Sequence, residues 1–186
     1  MLSRMVLRVR LAVRRKHAVE RIGQEQRGTV GLFAYFGHGL NDGIQLGFKM
    51  AHVRQLADAI ARVSKPELTV ALYACDTGQD DDADDRDDLK PGPGGDGGFA
   101  DALRGHLFLL GVKATVYAHA GTGHTTRFPY VRVFEPGELG GGSWLVEPGS
   151  KLWKPWVSAL RNTSLRLRFP MMTQAEIEAE LQPSVA

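Results

Sequence analysis

The sequence predicts an α/β fold, a three-layer sandwich built around a mostly parallel central sheet. Three observations carry that expectation. Apolar runs of strand length alternate with segments of helical periodicity, the pattern of repeated β–α–β units. The runs at 29–36, 68–74 and 113–118 are apolar almost throughout, as strands buried on both faces are. Two of these runs stop sharply in small and polar residues, Gly37-His38-Gly39 and Cys75-Asp76-Thr77-Gly78.

The elements follow in chain order. Met5, Val6, Val9, Val13 and Ile22 fall near helical spacing with arginines between them, which predicts a basic amphipathic helix over 4–22. The alternation Arg8-Val9-Arg10-Leu11 also permits a strand. After the strand at 29–36, Asn41-Asp42-Gly43 has turn chemistry, and Ile44 to Phe48 alternates as a short strand or ribbon does. Val53, Leu56, Ala57, Ile60 and Val63 mark one face of a helix over 50–63, closed by Pro66, before the strand that leads to Cys75. A third helix at 98–110 carries Phe99, Leu103, Leu107 and Leu110, with Gly111 as its cap, and the strand 113–118 follows. Short strands are expected at 130–135, 143–147 and 165–169, and helices at 151–162 and 173–181.

One domain spans 1–186, with a mobile acidic and Gly/Pro-rich loop at about 79–97. An apolar fraction of 43% suits a buried core, and a net charge of +2 is too small to argue for nucleic acid. The basic N-terminus faintly resembles an organelle transit segment, but an ordinary helix is preferred. A single cysteine excludes an internal disulfide framework and suits a reducing, cytoplasmic setting. No apolar run approaches the ~18 residues of a membrane span.

Right-handed crossovers place the carboxyl ends of parallel strands, and the loops after them, on one rim of the sheet. Gly37–Asn41, Cys75–Asp80 and 119–127 all fall there. If the strands before His38 and Cys75 are neighbours, ~4.8 Å apart, imidazole and thiol leave the sheet together. A thiol attacks as thiolate, and an imidazole can take its proton and return one to a leaving amine. The Gly39 and Cys75 amides are the natural oxyanion donors, and Asp42, Asp76, His119 and His124 are candidates for orienting the imidazole or binding substrate.

A strand ending in His-Gly followed by a strand ending in Ala-Cys resembles the caspase-like cysteine peptidases of the separase, gingipain and CHAT group. Phe36-Gly37-His38-Gly39, the Gly43–Gly47 ribbon, the intervening helix and Tyr73-Ala74-Cys75-Asp76-Thr77-Gly78 are similar to the CHAT pattern over about residues 28–120. The resemblance implies a caspase-haemoglobinase fold, His38 and Cys75 as a catalytic dyad, and a peptide or protein substrate. The chain lacks the glutamine-alanine-cysteine signature of true caspases, and its residues after 125 match no pattern of that group, so the substrate pocket stays unassigned.

Each feature has a plainer alternative. A lone cysteine near a strand is usually a buried structural thiol, and His38 could be a capping or core residue. The acidic loop could hold calcium, could be a linker cut after Arg86 or Lys90, or could be a solvated insertion, which is preferred. No cofactor or resident metal is expected: Cys75, His119 and His124 fit no usual zinc spacing. The loop at 119–127 shapes a pocket or merely connects. Gly121-Thr-Gly123 is too short for a dinucleotide fingerprint, and Asp81 stands where a cysteine phosphatase needs arginine. The two functional expectations are a cysteine hydrolase and an inactive module of the same fold that binds a regulatory protein partner.

Overall fold

A computed structural model describes residues 2–79, 95–121, 128–161, 172 and 174–181. Helix α1 (Leu2–Ile22) settles the ambiguous N-terminal pattern as helix. Its Ala18, Val19 and Ile22 pack against the main core, and Arg15 Nη1 donates to the Gly47 carbonyl at 2.8 Å. Strand β1 (Val30–Phe36) leads to a small antiparallel ribbon, β2 (Gly39–Leu40), β3 (Gly43–Ile44) and β4 (Phe48–Lys49). A single 3-10 turn (Met50–His52) opens α2 (Val53–Val63), which runs into β5 (Ser64–Tyr73) without a loop. Then come α3 (Phe99–Leu109), β6 (Lys113–His119), β7 (Val131–Phe134), β8 (Ser143–Trp144), α4 (Trp153–Ala159) and α5 (Gln174–Leu181).

The main sheet has the order β1-β5-β6-β7-β8. Strands β1, β5 and β6 are parallel, each reached through a helix, as the alternating pattern requires. Strands β7 and β8 run antiparallel to their neighbours. The link from His119 to Val131 is too short for a parallel crossover, which takes about a dozen residues or more, so the chain reverses instead.

Two residues depart from expectation for physical reasons. Pro66 follows the end of α2 as expected, but β5 begins at Ser64 rather than at 68, so the proline lies inside the strand. The β1–β5 register jumps there from Val30↔Ser64 to Leu32↔Thr69, so the residue that cannot donate to a ladder sits in an irregular, exposed stretch. Leu110, assigned to the buried face of α3, is exposed instead, because the helix ends at Leu109 and Gly111 reverses the chain at φ +81°. The Gly111 and Val112 amides donate back to Phe108 and Leu107, the closing expected of a glycine cap. Pro155 sits in the first turn of α4, where its missing N–H would have had no helical partner.

The helices divide between the two faces. Residues of α1, α2 and α3 pack with Val70, Leu72, Val116 and Phe134 into the main core. Residues of α4 and α5 meet Tyr117, Val131 and Val133 on the opposite face, around Trp156 and Ile177. Edge strand β1 is less covered on that second face: Leu32, Ala34 and Phe36, which alternate onto it, are all exposed. The apolar runs therefore belong to strands of unequal burial, with β5 buried from Val70 to Tyr73 and β1 half open. Residues 80–94 of the expected acidic loop (79–97), the strand at 165–169 and His124 lie outside the described residues.

Truncating Leu56, wholly buried in α2, is expected to lower stability by about 2–5 kcal/mol as Leu56→Ala. Leu32→Ala, on the open face of β1, should change it by no more than about 0.5 kcal/mol. Urea midpoints of the two variants check the assignment of the faces.

Candidate functional site

Parallel pairing of β1 with β5 in the register Phe36↔Tyr73 fixes the site. His38 and Cys75 each lie two residues past those partners, so the two turns leave the sheet at the same level. The Gly37 amide donates to the Tyr73 carbonyl at 3.1 Å, extending the ladder one step beyond the strands. The His38 carbonyl accepts from Tyr35 Oη at 3.0 Å and from the Gln45 amide at 3.0 Å. The second of these bonds flanks the Gly39↔Ile44 pair and makes it the narrow, non-hydrogen-bonded kind, in which the Gly39 N–H points out of the ribbon.

Gly39 brings the two turns into contact. A Cβ there would lie 2.7 Å from the Ala74 Cβ, 2.7 Å from the Thr77 Cγ2 and 2.8 Å from the Cys75 carbonyl oxygen. Only a residue without a side chain lets the histidine turn pack on the cysteine turn this closely. Cys75 itself is partly exposed, while Ala74, Asp76, Thr77, Gly78 and Gln79 around it are buried.

The cysteine turn is held on three sides. Toward β6, the Gly78 amide donates to the His119 carbonyl at 2.8 Å and the Asp76 amide to Gly121 at 3.2 Å. Within the turn, Thr77 Oγ1 donates to the Ala74 carbonyl at 3.1 Å, and Gln79 Nε2 to Asp76 Oδ1 at 2.6 Å. Below it, α3 begins: Phe99 N–H donates to the Asn41 carbonyl at 2.9 Å and Ala100 N–H to the Thr77 carbonyl at 3.1 Å. Asp76 adopts φ +58°, a left-handed conformation that aspartate tolerates better than most residues but at a cost. Strained residues of this kind concentrate at functional turns.

The other predicted residues take different places. Asp42 pairs with Lys49, whose Nζ lies 2.5 and 2.6 Å from its two carboxylate oxygens, in the ribbon. Asp76 is buried beneath the cysteine, in the Gln79 bond described above. His119 is 5% exposed and packs between Tyr73 and Phe128, both ring centroids 6.1 Å away. Its Nδ1 has no hydrogen-bond partner, and burial pushes its pKa down to about 4, so the ring is neutral. Burial likewise pushes the Tyr73 hydroxyl up to about 12. Among the described residues no cluster of three or more His, Cys, Asp or Glu side chains could hold a metal.

Sequence reasoning missed Tyr35, Asn41, Thr77 and the ring pair Phe36–Tyr73, stacked at 4.2 Å and 8°. Period-2 alternation could have placed Phe36 and Tyr73 on one face, but nothing local marks the Tyr35 hydroxyl or the Asn41 carbonyl as partners of this turn.

Two outcomes follow. Gly39→Ala is expected to destabilise the fold by about 1–3 kcal/mol, read as a lower urea midpoint, because its methyl overlaps backbone as well as side chains. His119 has a folded pKa below its ordinary 6.5, so the unfolded chain takes its proton first as pH falls. Its contribution to stability is full above about pH 6.5 and is lost toward pH 4, with a slope of up to ~1.4 kcal/mol per pH unit. Urea midpoints between pH 6.5 and 5 should fall more steeply for the wild type than for His119→Phe; parallel slopes would refute the burial of a neutral ring. No protein-family model, no curated protein and no solved structure matches this chain.

Proposed function

We propose that the chain is a caspase-like cysteine hydrolase, a peptidase in which Cys75 is the nucleophile and His38 its general base and acid. The observation that carries this reading is the packing of Gly39 on the Cys75 carbonyl, which sets the only cysteine beside the histidine turn at the carboxyl rim of the parallel strands. Sheet rims of this kind are where open α/β folds bind ligands. Partial exposure of Cys75 amid buried neighbours supports it further, since a structural thiol would be covered with them.

In the proposed reaction His38 takes the thiol proton, and the thiolate forms a C–S bond to the substrate carbonyl carbon. The carbonyl electron pair moves onto oxygen, which the Gly39 and Cys75 N–H groups face as donors. Collapse of that intermediate breaks the C–N bond, and the His38 imidazolium protonates the departing amine. Water, deprotonated by His38, then attacks the thioester; the acid leaves and Cys75 regains its proton. Neither a metal nor an organic cofactor enters these steps. Peptide or protein is the substrate class, and a reducing, cytoplasmic compartment suits the thiol.

A second reading, a non-catalytic module of the same fold, draws on one observation elsewhere on the chain. Phe108, Leu109, Leu110 and Leu139 form exposed apolar surface where the end of α3 meets the β7–β8 connection, Leu109 at 82% and Leu139 at 97% exposure. Such surface can receive a protein partner.

Alkylation separates the two. Iodoacetamide is expected to label Cys75 rapidly near neutral pH, and His38→Ala should slow the reaction by about tenfold or more, as removal of a positioned base does. Slow labelling at equal rates in both proteins would favour the binding module.

A further inference from the structure

We infer that the residue whose carbonyl Cys75 attacks carries a large uncharged side chain, aromatic or aliphatic, seated on the open ring of Phe36, the exposed end of a wall of rings at the end of the sheet; this rests on the hydrolase reading above. The wall lies on the face that carries Phe36. Each strand end contributes to it in turn. Phe36 of β1 stacks flat on Tyr73 of β5, Tyr73 meets His119 of β6, His119 meets Phe128, and Phe128 lies 5.2 Å from Tyr130.

The wall is continuous with the dyad. Phe36 precedes His38 by two residues and Tyr73 precedes Cys75 by two, so both rings stand at the strand ends from which the two turns leave. Phe36 keeps 58% of its surface exposed although its inner face is stacked on Tyr73. Further down the same strand face Leu32 is 44% exposed. Phe36 and Leu32 therefore form an open apolar shelf on edge strand β1, the strand that leads into the histidine turn, where a substrate side chain would cover it.

Charge decides what the shelf accepts. Among the described residues of the wall none carries a formal charge at neutral pH. Of the charged groups described nearby, Asp42 is paired with Lys49, Arg132 lies over the Trp144 ring at 4.1 Å with its Nη1 on the Gly141 and Gly142 carbonyls, and Asp76 is wholly buried, out of a substrate's reach. A substrate ammonium, guanidinium or carboxylate against these rings would lose water without gaining a described counter-ion, which is unfavourable.

The test uses peptidyl chloromethyl ketones that share their upstream residues and end in Phe, Leu, Ala, Lys or Asp. The Cys75 thiolate forms a C–S bond to the methylene carbon as chloride leaves, and intact mass follows the adduct on the full chain. The Phe or Leu reagent is expected to react at least about tenfold faster than the Ala, Lys and Asp reagents, and Phe36→Ala should shrink that advantage by about tenfold. Phe36 is outside the main core, and an unchanged circular dichroism spectrum shows that the variant is folded. Equal rates for all five reagents, or a preference for Lys or Asp, overturns the inference. If iodoacetamide labelling is nevertheless fast and dependent on His38, the dyad stands and only the pocket is wrong. Slow labelling independent of His38 overturns both.

Discussion

The start of helix α3 holds the rim together. Its first amide groups cannot bond within the helix and must find acceptors elsewhere. Phe99 donates to Asn41, in the turn after the histidine, and Ala100 donates to Thr77, in the turn after the cysteine. Two segments more than thirty positions apart in sequence are thus tied to adjacent amides of one rigid element. The helix is itself anchored: Phe99, Leu103 and Leu107 are wholly buried, and Arg104 links Asp101 to the Glu138 carbonyl. Moving either turn away from the other would leave a buried helical donor without its acceptor, a loss of roughly 1–3 kcal/mol for each group.

The asymmetry of the sheet then decides where chemistry can occur. Helices α1 to α3 seal one face, so side chains that alternate toward it are inaccessible. The opposite face is covered by α4 and α5 beside β7 and β8 and is less covered along β1. Leu72 and Ala74 join the core of the sealed face, Tyr73 turns to the ring wall, and Cys75 is left partly exposed in the turn that follows the strand end.

Much of this was legible in the sequence, for reasons particular residues make clear. The parallel strands are apolar runs and the helices keep their 3.6-residue period, so β1, α2, β5, α3 and β6 were found in order. The rim followed from crossover handedness, which needs no side-chain detail. What could not be read was set by contacts distant in sequence. Nothing near Pro66 announces that a register jump lets β5 contain it. Nothing near Lys49 marks it as the partner that takes both oxygens of Asp42. His119 looked like a rim residue, and its burial between Tyr73 and Phe128 depends on aromatic residues from a different strand and from the segment that precedes β7.

These same contacts bear on whether the dyad proposed above would need a third group. In a triad, a carboxylate fixes the imidazole and steadies its charge. Here the backbone of the histidine turn is already fixed by Gly37 on Tyr73, by Tyr35 and Gln45 on the His38 carbonyl, and by the fit of Gly39 against the cysteine turn. Asp42 is drawn to Lys49, and Asp76 serves the buried turn through Gln79. The backbone of the sheet edge thus fixes where the histidine side chain starts, beside the cysteine turn. A dyad placed in this way depends on the closeness of two turns more than on any single acid, and that closeness is what the glycine after the histidine supplies.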